Sequence, residues 1–190
     1  TPALVEDIAN VRGVETVAAL ELLVAQAEVP NGDKVGAFIG ALGPDTAERV
    51  FTFQMAQGSI SDLTPGRIIV GKRVSGEQGL VIGDEVEILG PSGQAVTLKV
   101  GAISDDASFL GDWTITRADS ARLVRQPTVA RIGVKLDPGV QPDDVRAALK
   151  SQVKNYPTMT LQDRDQYTSS LVNSISALLN VIYGLLAVSI

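Results

Sequence analysis

The stretch from Gln166 to Ile190 contains no charged side chain and closes on the apolar run Val181-Ile-Tyr-Gly-Leu-Leu-Ala-Val-Ser-Ile190. Such a segment cannot stand alone in water, because its apolar surface has to be covered by protein or by lipid. Val172, Ile175, Leu179, Ile182 and Leu186 follow at intervals of three and four, with Leu171, Leu178 and Leu185 a heptad apart beside them. This spacing predicts a helical seam that seeks a packing partner. Asn173, Ser176 and Asn180 lie off the seam, and the polar stripe ends with Asn180. The helix is therefore expected to start amphipathic and become apolar on all sides, as a stalk does on leaving water for lipid. At ~1.5 Å per residue, 181–190 covers about half of a ~30 Å hydrocarbon core. A full span needs residues beyond Ile190, and the opening Thr1-Pro2-Ala3-Leu4, without Met or a signal-peptide pattern, likewise reads as cut from a longer chain. Two rival expectations remain: a soluble domain whose last helix is its most buried one, and a soluble binding or assembly domain that dimerises as a coiled coil through 172–186.

Hydrophobic residues make up 45% of the 190, enough for a real core, but aromatics only 4%. The core must then be built from Val, Ile, Leu and Ala, which suits strands and leaves few platforms for stacking bases or sugars. A net charge of −6 with no basic cluster argues against a nucleic-acid partner, since affinity for phosphate chains comes from grouped Lys and Arg. With no Cys and no His there is no thiolate nucleophile, imidazole base or Cys/His zinc site. No catalytic, cofactor-binding or metal-binding residue is assigned, and no cofactor is expected.

Along the chain, Thr1 as N-cap and Pro2 at the first helical position open a short helix to Asn10, with Leu4, Val5 and Ile8 on one face. The β-prone run Val14 to Val29, the turn Pro30-Asn-Gly-Asp33 and the run Lys34 to Leu42 predict a hairpin. Phe51, Phe53 and Met55 alternate with Thr52 and Gln54 as a half-buried strand would. Ile68-Ile69-Val70 reads as a strand between glycines, and Glu85 to Leu89 as one with Val86 and Ile88 inward. Gly90-Pro-Ser-Gly93 then turns the chain into a strand with Val96, Leu98 and Val100 inward. Residues 46–105 thus read as short strands and turns, followed by a loop from Asp105 to Trp113. Thr116 and Asp119 have the form of a capping box opening a helix toward Val124. A strand with Ala130, Ile132, Val134 and Leu136 on one face follows, then a helix from Pro142 to Asn155 with Val145, Ala148, Leu149 and Val153 on one face, then a strand over Thr158 to Leu161. Asp163 with Gln166 caps the final helix.

Several motifs carry less than they suggest. Gly66-Arg-Ile-Ile-Val-Gly-Lys72 fits the start of a phosphate-binding loop, but Arg73 stands where a Ser or Thr hydroxyl is needed and the interior is a β-branched run. Gly36, Gly40 and Gly43 lack dinucleotide-loop spacing, and Ser151-Gln-Val-Lys154 sits late on a helix with no Lys-Thr-Gly element. The pairs Asp105-Asp106 and Asp143-Asp144 read as turn and helix-start carboxylates, Asp106 being the best candidate for a carboxylate-dependent hydrolase. Trp113 reads as a core plug.

Gly58-Ser-Ile-Ser-Asp-Leu-Thr-Pro-Gly66, the strand to Gly71, and Gly79-Leu-Val-Ile-Gly-Asp-Glu-Val-Glu-Ile-Leu89 together resemble the extracytoplasmic domain of FtsX-like or MacB-like ABC transporter permeases. The Gly13 to Val17 strand, the Leu42-Gly-Pro-Asp45 turn, the late strand, helix and strand unit, and the stalk extend the resemblance over essentially the whole chain. It implies an α+β fold in which 1–45 and 115–162 form a split βαβ-type, porter-like subdomain. Residues 46–114 would be an inserted small β-rich subdomain, and 163–190 the stalk helix and the start of a transmembrane helix. It also implies a non-catalytic domain on the periplasmic or extracellular side of the cell membrane, in a subunit paired with a second permease subunit, identical or not. A separate ATPase subunit would supply ATP hydrolysis, and the domain would couple that to movement and to an extracytoplasmic substrate or partner protein.

Overall fold

The computed structural model describes residues 2–106, 109–156 and 159–162. The stalk and membrane-helix expectations for 163–190 lie outside these residues. Among the described residues no helix is long and apolar enough to cross a membrane. The chain divides into two compact units, Thr1–Gly139 and Val140–Ile190.

In the first unit the elements run α1 Pro2–Ala9, β1 Val14–Glu28, β2 Lys34–Leu42, α2 Pro44–Val50, β3 Met55–Gln57, a 3-10 turn Ile60–Asp62, β4 Arg67–Gly71, α3 Lys72–Gln78, β5 Glu85–Leu89, β6 Ala95–Ser104, β7 Trp113–Thr116, α4 Arg117–Leu123 and β8 Thr128–Leu136. The fold is mixed α+β with a mixed sheet. β1 and β2 form the expected hairpin, the Val29 N–H donating to Asp33 O at 3.0 Å across a turn in which Gly32 takes φ +87. The strands are ordered β2-β7-β4-β6-β5-β1-β8, and β2 also pairs with β1. That last pairing closes β1, β2, β7, β4, β6 and β5 into a barrel, with β8 continuing from β1 and β3 from β6. Two neighbours run parallel, β2 with β7 and β4 with β6, and the other barrel pairings are antiparallel.

Alternation along each strand sends one row of side chains into the barrel. Leu23, Ala25 and Ala27 of β1, Ile39 of β2, Ile68 and Val70 of β4, Val86 and Ile88 of β5, and Leu98 and Val100 of β6 share one buried core. Trp113 is buried in it, 2% exposed, as the plug expected from sequence. A second cluster, with Leu20, Leu42, Ala47, Leu63, Ile69 and Leu110, packs with Phe51, Phe53 and Phe109.

Four local expectations change in this unit. Gly43-Pro-Asp45 does not merely turn: Pro44 at the first helical position and Asp45 in the first turn start α2, which Arg49 ties to Glu15 of β1 at 2.8 Å. A second short helix, α3, also lies inside the stretch read as strands and turns. Phe51–Gln54 are not a strand, because β6 ends at Ser104 and its ladder with β3 begins only at Met55. In β8 the buried residue is Val129 while Ala130 is exposed. The register shift between Leu20/Arg131 and Glu21/Val129 reverses the side-chain phase there.

The second unit contains α5 Pro142–Val153, opened by Pro142 and a capping box between Gln141 and Asp144. Val145 and Leu149 are buried on it as expected, whereas Ala148 is exposed. Met159–Leu161 form no strand, since the Met159 N–H turns back to Tyr156 O at 2.9 Å; Thr158 lies outside the described residues.

Candidate interaction surface

None of the sequence's apparent catalytic motifs becomes a site. Gly66–Lys72 is strand β4 running into α3, and the Gly66 N–H is taken by the buried Asp119 carboxylate at 3.0 Å. Asp119 also accepts from the Thr116 hydroxyl at 2.7 Å, and the Thr116 oxygen accepts the Asp119 N–H at 3.1 Å. This capping network joins the loop before β4 to the start of α4. Asp105 pairs with Lys72 at 3.3 Å, and Asp106 accepts the Phe109 N–H at 3.1 Å. Asp143 pairs with Arg146 at 3.2 Å and Asp144 accepts the Gln141 N–H at 3.1 Å. All four carboxylates are turn and helix-start groups. Ser151 and Lys154 are exposed at the end of α5. Among the described residues no group of three or more acidic side chains could hold a metal ion.

The segment Gly79 to Val86 has a purely architectural explanation. Gly79 caps α3 in the left-handed conformation at φ +67, the Leu80 N–H returns to Ser75 O at 2.9 Å, and the Leu80 side chain is buried in the barrel core. Asp84 accepts the Val81 N–H at 2.9 Å, and the Gly83 N–H reaches Val100 O at 2.8 Å, so the turn delivers Glu85 and Val86 in register with β6. The cost of this turn is that Val81 and Ile82 stand in solvent.

What the sequence did not mark is the outer face of the β1/β2 hairpin. Leu22 lies opposite Gly40, Val24 opposite Phe38 and Gln26 opposite Gly36. Phe38 is 75% exposed and Val24 62%, the largest exposures among the large hydrophobic residues found at the surface. The signal was hidden because Leu22-Leu-Val-Ala25 is apolar in both phases of the strand and the nearby charge, Glu21, falls in the buried row, so periodicity could not tell the barrel row from the outer row. A groove of about 350 Å³ runs beside Phe38, with Leu20, Leu22, Phe109, Leu110 and Trp113 among its walls. The Arg131 guanidinium lies 4.9 Å from the Phe109 ring centre, and Asp112 is held by Arg73 at 2.6 Å.

One buried charge stands out. Glu21 of β1, flanked by β2 and β8, lies at the register shift in the β1/β8 ladder, 3.4 Å from the Arg117 guanidinium, which also donates to Ala19 O at 3.0 Å. Burial pushes its pKa above the usual glutamate value, outweighing the opposing pull of Arg117.

A family model for the MacB-like periplasmic core domain matches residues 1–152, which include the closed barrel, β8 and most of α5. The chain belongs to that family. The MacB-like fold is also visible in solved structures. The periplasmic region of MacB from Actinobacillus actinomycetemcomitans superposes with a TM-score of 0.64 at 11% identity, over 90% of this chain and 82% of that one. The extracellular domain of the noncanonic ABC-type transporter YknZ from Gram-positive bacteria gives 0.58 at 15% identity, over 84% and 85%. A domain of a putative permease protein from Porphyromonas gingivalis gives 0.54 at 17% identity, over 85% and 69%. No curated protein matches this MacB-like domain by sequence.

Proposed function

We propose that this MacB-like domain is the extracytoplasmic part of an ABC transporter permease subunit that performs no covalent chemistry itself. The observation that carries the reading is the family match over residues 1–152. The likeness of the fold to domains of MacB, YknZ and a putative permease supports it. In this reading a separate cytoplasmic ATPase drives the membrane helices, and the stalk from Asp163 carries the motion outward as a rigid-body displacement of the domain. Residues 1–45 with 115–162 act as the porter-like, split βαβ part, 46–114 as the inserted part, and 163–190 as the stalk entering the membrane. The outer surface then meets substrate or a partner protein on the far side of the membrane.

The full-length protein should remain in the membrane fraction through a salt wash, require detergent for extraction, and bring an ATPase subunit with it on purification. Release by salt alone, or purification without any ATPase, counts decisively against the proposal.

A further inference from the structure

We propose that Asn31 and Gly32, at the tip of the β1/β2 hairpin, are a self-modifying site at which the Asn31 side-chain amide is lost to a succinimide and then to aspartate and isoaspartate, gated by opening of the turn. Among Asn10, Asn31, Asn155, Asn173 and Asn180, Asn31 is the one followed by glycine. The nucleophile in this reaction is the backbone nitrogen of the next residue, and a Cβ on that residue obstructs its approach. Val11 and Tyr156, which follow Asn10 and Asn155, carry one. Asn31, Gly32 and Asp33 are all exposed, and nothing lies within 4 Å of where a Cβ on Gly32 would stand. Water, the second reactant, reaches the tip directly.

The atoms balance as follows. Hydroxide takes the Gly32 amide proton, a bond forms from Gly32 N to Asn31 Cγ, and the Cγ–Nδ2 bond breaks; the departing nitrogen takes a proton from water, which restores the hydroxide, and leaves as ammonia. Water then adds across one of the two imide C–N bonds. Cleavage between Gly32 N and Cγ gives aspartate on the original main chain. Cleavage between Gly32 N and the Asn31 carbonyl carbon gives isoaspartate, with the main chain rerouted through Cβ and Cγ.

The closed turn holds the reactants apart with three hydrogen bonds. The Gly32 N–H donates to Val29 O at 2.8 Å, which keeps its proton engaged. Asn31 Nδ2 donates to Asp33 Oδ2 at 2.9 Å, and the Asp33 N–H donates to Asn31 Oδ1 at 2.9 Å, so the amide is clamped toward Asp33. Attack on Cγ needs these bonds released, and exposed turn hydrogen bonds at a hairpin tip open at low cost. The products then keep the tip open. An aspartate at position 31 has no amide hydrogen for Asp33 Oδ2 and sets a second carboxylate beside it, near the end of β1 where Glu28 already lies opposite Glu87. Isoaspartate adds a methylene to the main chain inside the turn that the Val29 N–H closes on Asp33 O at 3.0 Å. A reversible opening becomes a permanent one in the hairpin that closes the barrel.

The test incubates the full-length subunit in detergent at mildly alkaline pH and follows it by tryptic peptide mass. Cleavage after Arg12 and Lys34 releases peptide 13–34, in which Asn31 is the one asparagine. The expected result is the mass gain of an amide-to-acid exchange, located at Asn31 by fragmentation, in two separable forms and at a rate proportional to hydroxide, with the Asn10 and Asn155 peptides unchanged. Asp33→Ala removes the carboxylate clamp and should react about fivefold faster, the factor that one net hydrogen bond is worth. In Asn31→Asp, hydrogen exchange at the Val29 amide should be faster than in the parent. The inference is overturned by an Asn31 peptide that stays intact while the urea-unfolded chain reacts, by equal gain at Asn10 or Asn155, by an Asp33→Ala rate no higher than the parent's, or by unchanged Val29 exchange in Asn31→Asp.

Discussion

At Gly133 the neighbouring structure leaves no room for a side chain: a Cβ would overlap the Phe51 ring and come within 2.7 Å of Val50 Cγ1. The chain there does not need glycine for a left-handed turn, since Gly133 is not among the positive-φ glycines; it needs the absence of volume. Gly133→Ala is expected to destabilise the domain by about 1–3 kcal/mol through this overpacking, read as a lower urea midpoint with an unchanged slope. Glu21 gives a prediction of opposite character. Its folded pKa lies above the ordinary glutamate value because it is buried. The unfolded chain therefore releases its proton first, and stability falls as pH rises from the unfolded value, ~4.3, through the raised folded one. Above that window the penalty is fully present. Glu21→Gln should flatten this part of the stability-against-pH curve and leave the domain no less stable at neutral pH, as followed by urea unfolding over a pH series. A variant that is less stable than the parent at neutral pH would show that the Arg117 pair outweighs the desolvation. Both residues were plain letters in the sequence: glycine in a strand and a lone glutamate in an otherwise apolar run carry no mark of what packs on them.

Elements with local punctuation were legible. The Pro30-Asn-Gly-Asp33 turn, the alternation of β5 and β6, and the Thr116 and Asp119 cap all appear as read, because turn chemistry and capping act over a few residues. Elements whose definition depends on a distant partner were not. Phe51–Gln54 alternate well but meet no ladder, and β8 changes phase at a register shift that only its partner β1 reveals. The aromatic alternation had another use: Phe51 packs on Phe109 with ring centres 4.2 Å apart, and Phe53 on Phe109 at 5.6 Å. The short helices α2 and α3 went unread because seven residues give too few turns for periodicity to show. Gly79 ends α3 with φ +67, which an L-residue reaches at a cost of roughly 1–2 kcal/mol. Gly79→Ala should lower stability by about that amount and weaken hydrogen-exchange protection over α3 first. Unchanged protection there would mean the cap does not hold the helix.

For the whole molecule the decisive event is closure of the sheet through the pairing of β1 with both β2 and β5. Closure removes the edges of six strands and turns one face of each into a shared interior. Trp113 sits in that interior, its Cα opposite Ile39 of β2 and Val70 of β4. Trp113→Ala should cost about 3–5 kcal/mol, measured by denaturant unfolding followed by circular dichroism. A loss below ~1 kcal/mol would mean that the barrel is not the cooperative unit. The sequence by itself determined that the core is aliphatic and β-rich, that histidine and cysteine chemistry is absent, and which turns and caps join neighbouring segments, since these follow from composition and from interactions within a few residues. Only the tertiary structure decided that strands distant in sequence close into one barrel, and that Val24 and Phe38, apolar like their buried neighbours, face outward. Which face of a two-sided apolar strand is buried is set by its partners across the sheet, and those are chosen by packing the entire chain at once.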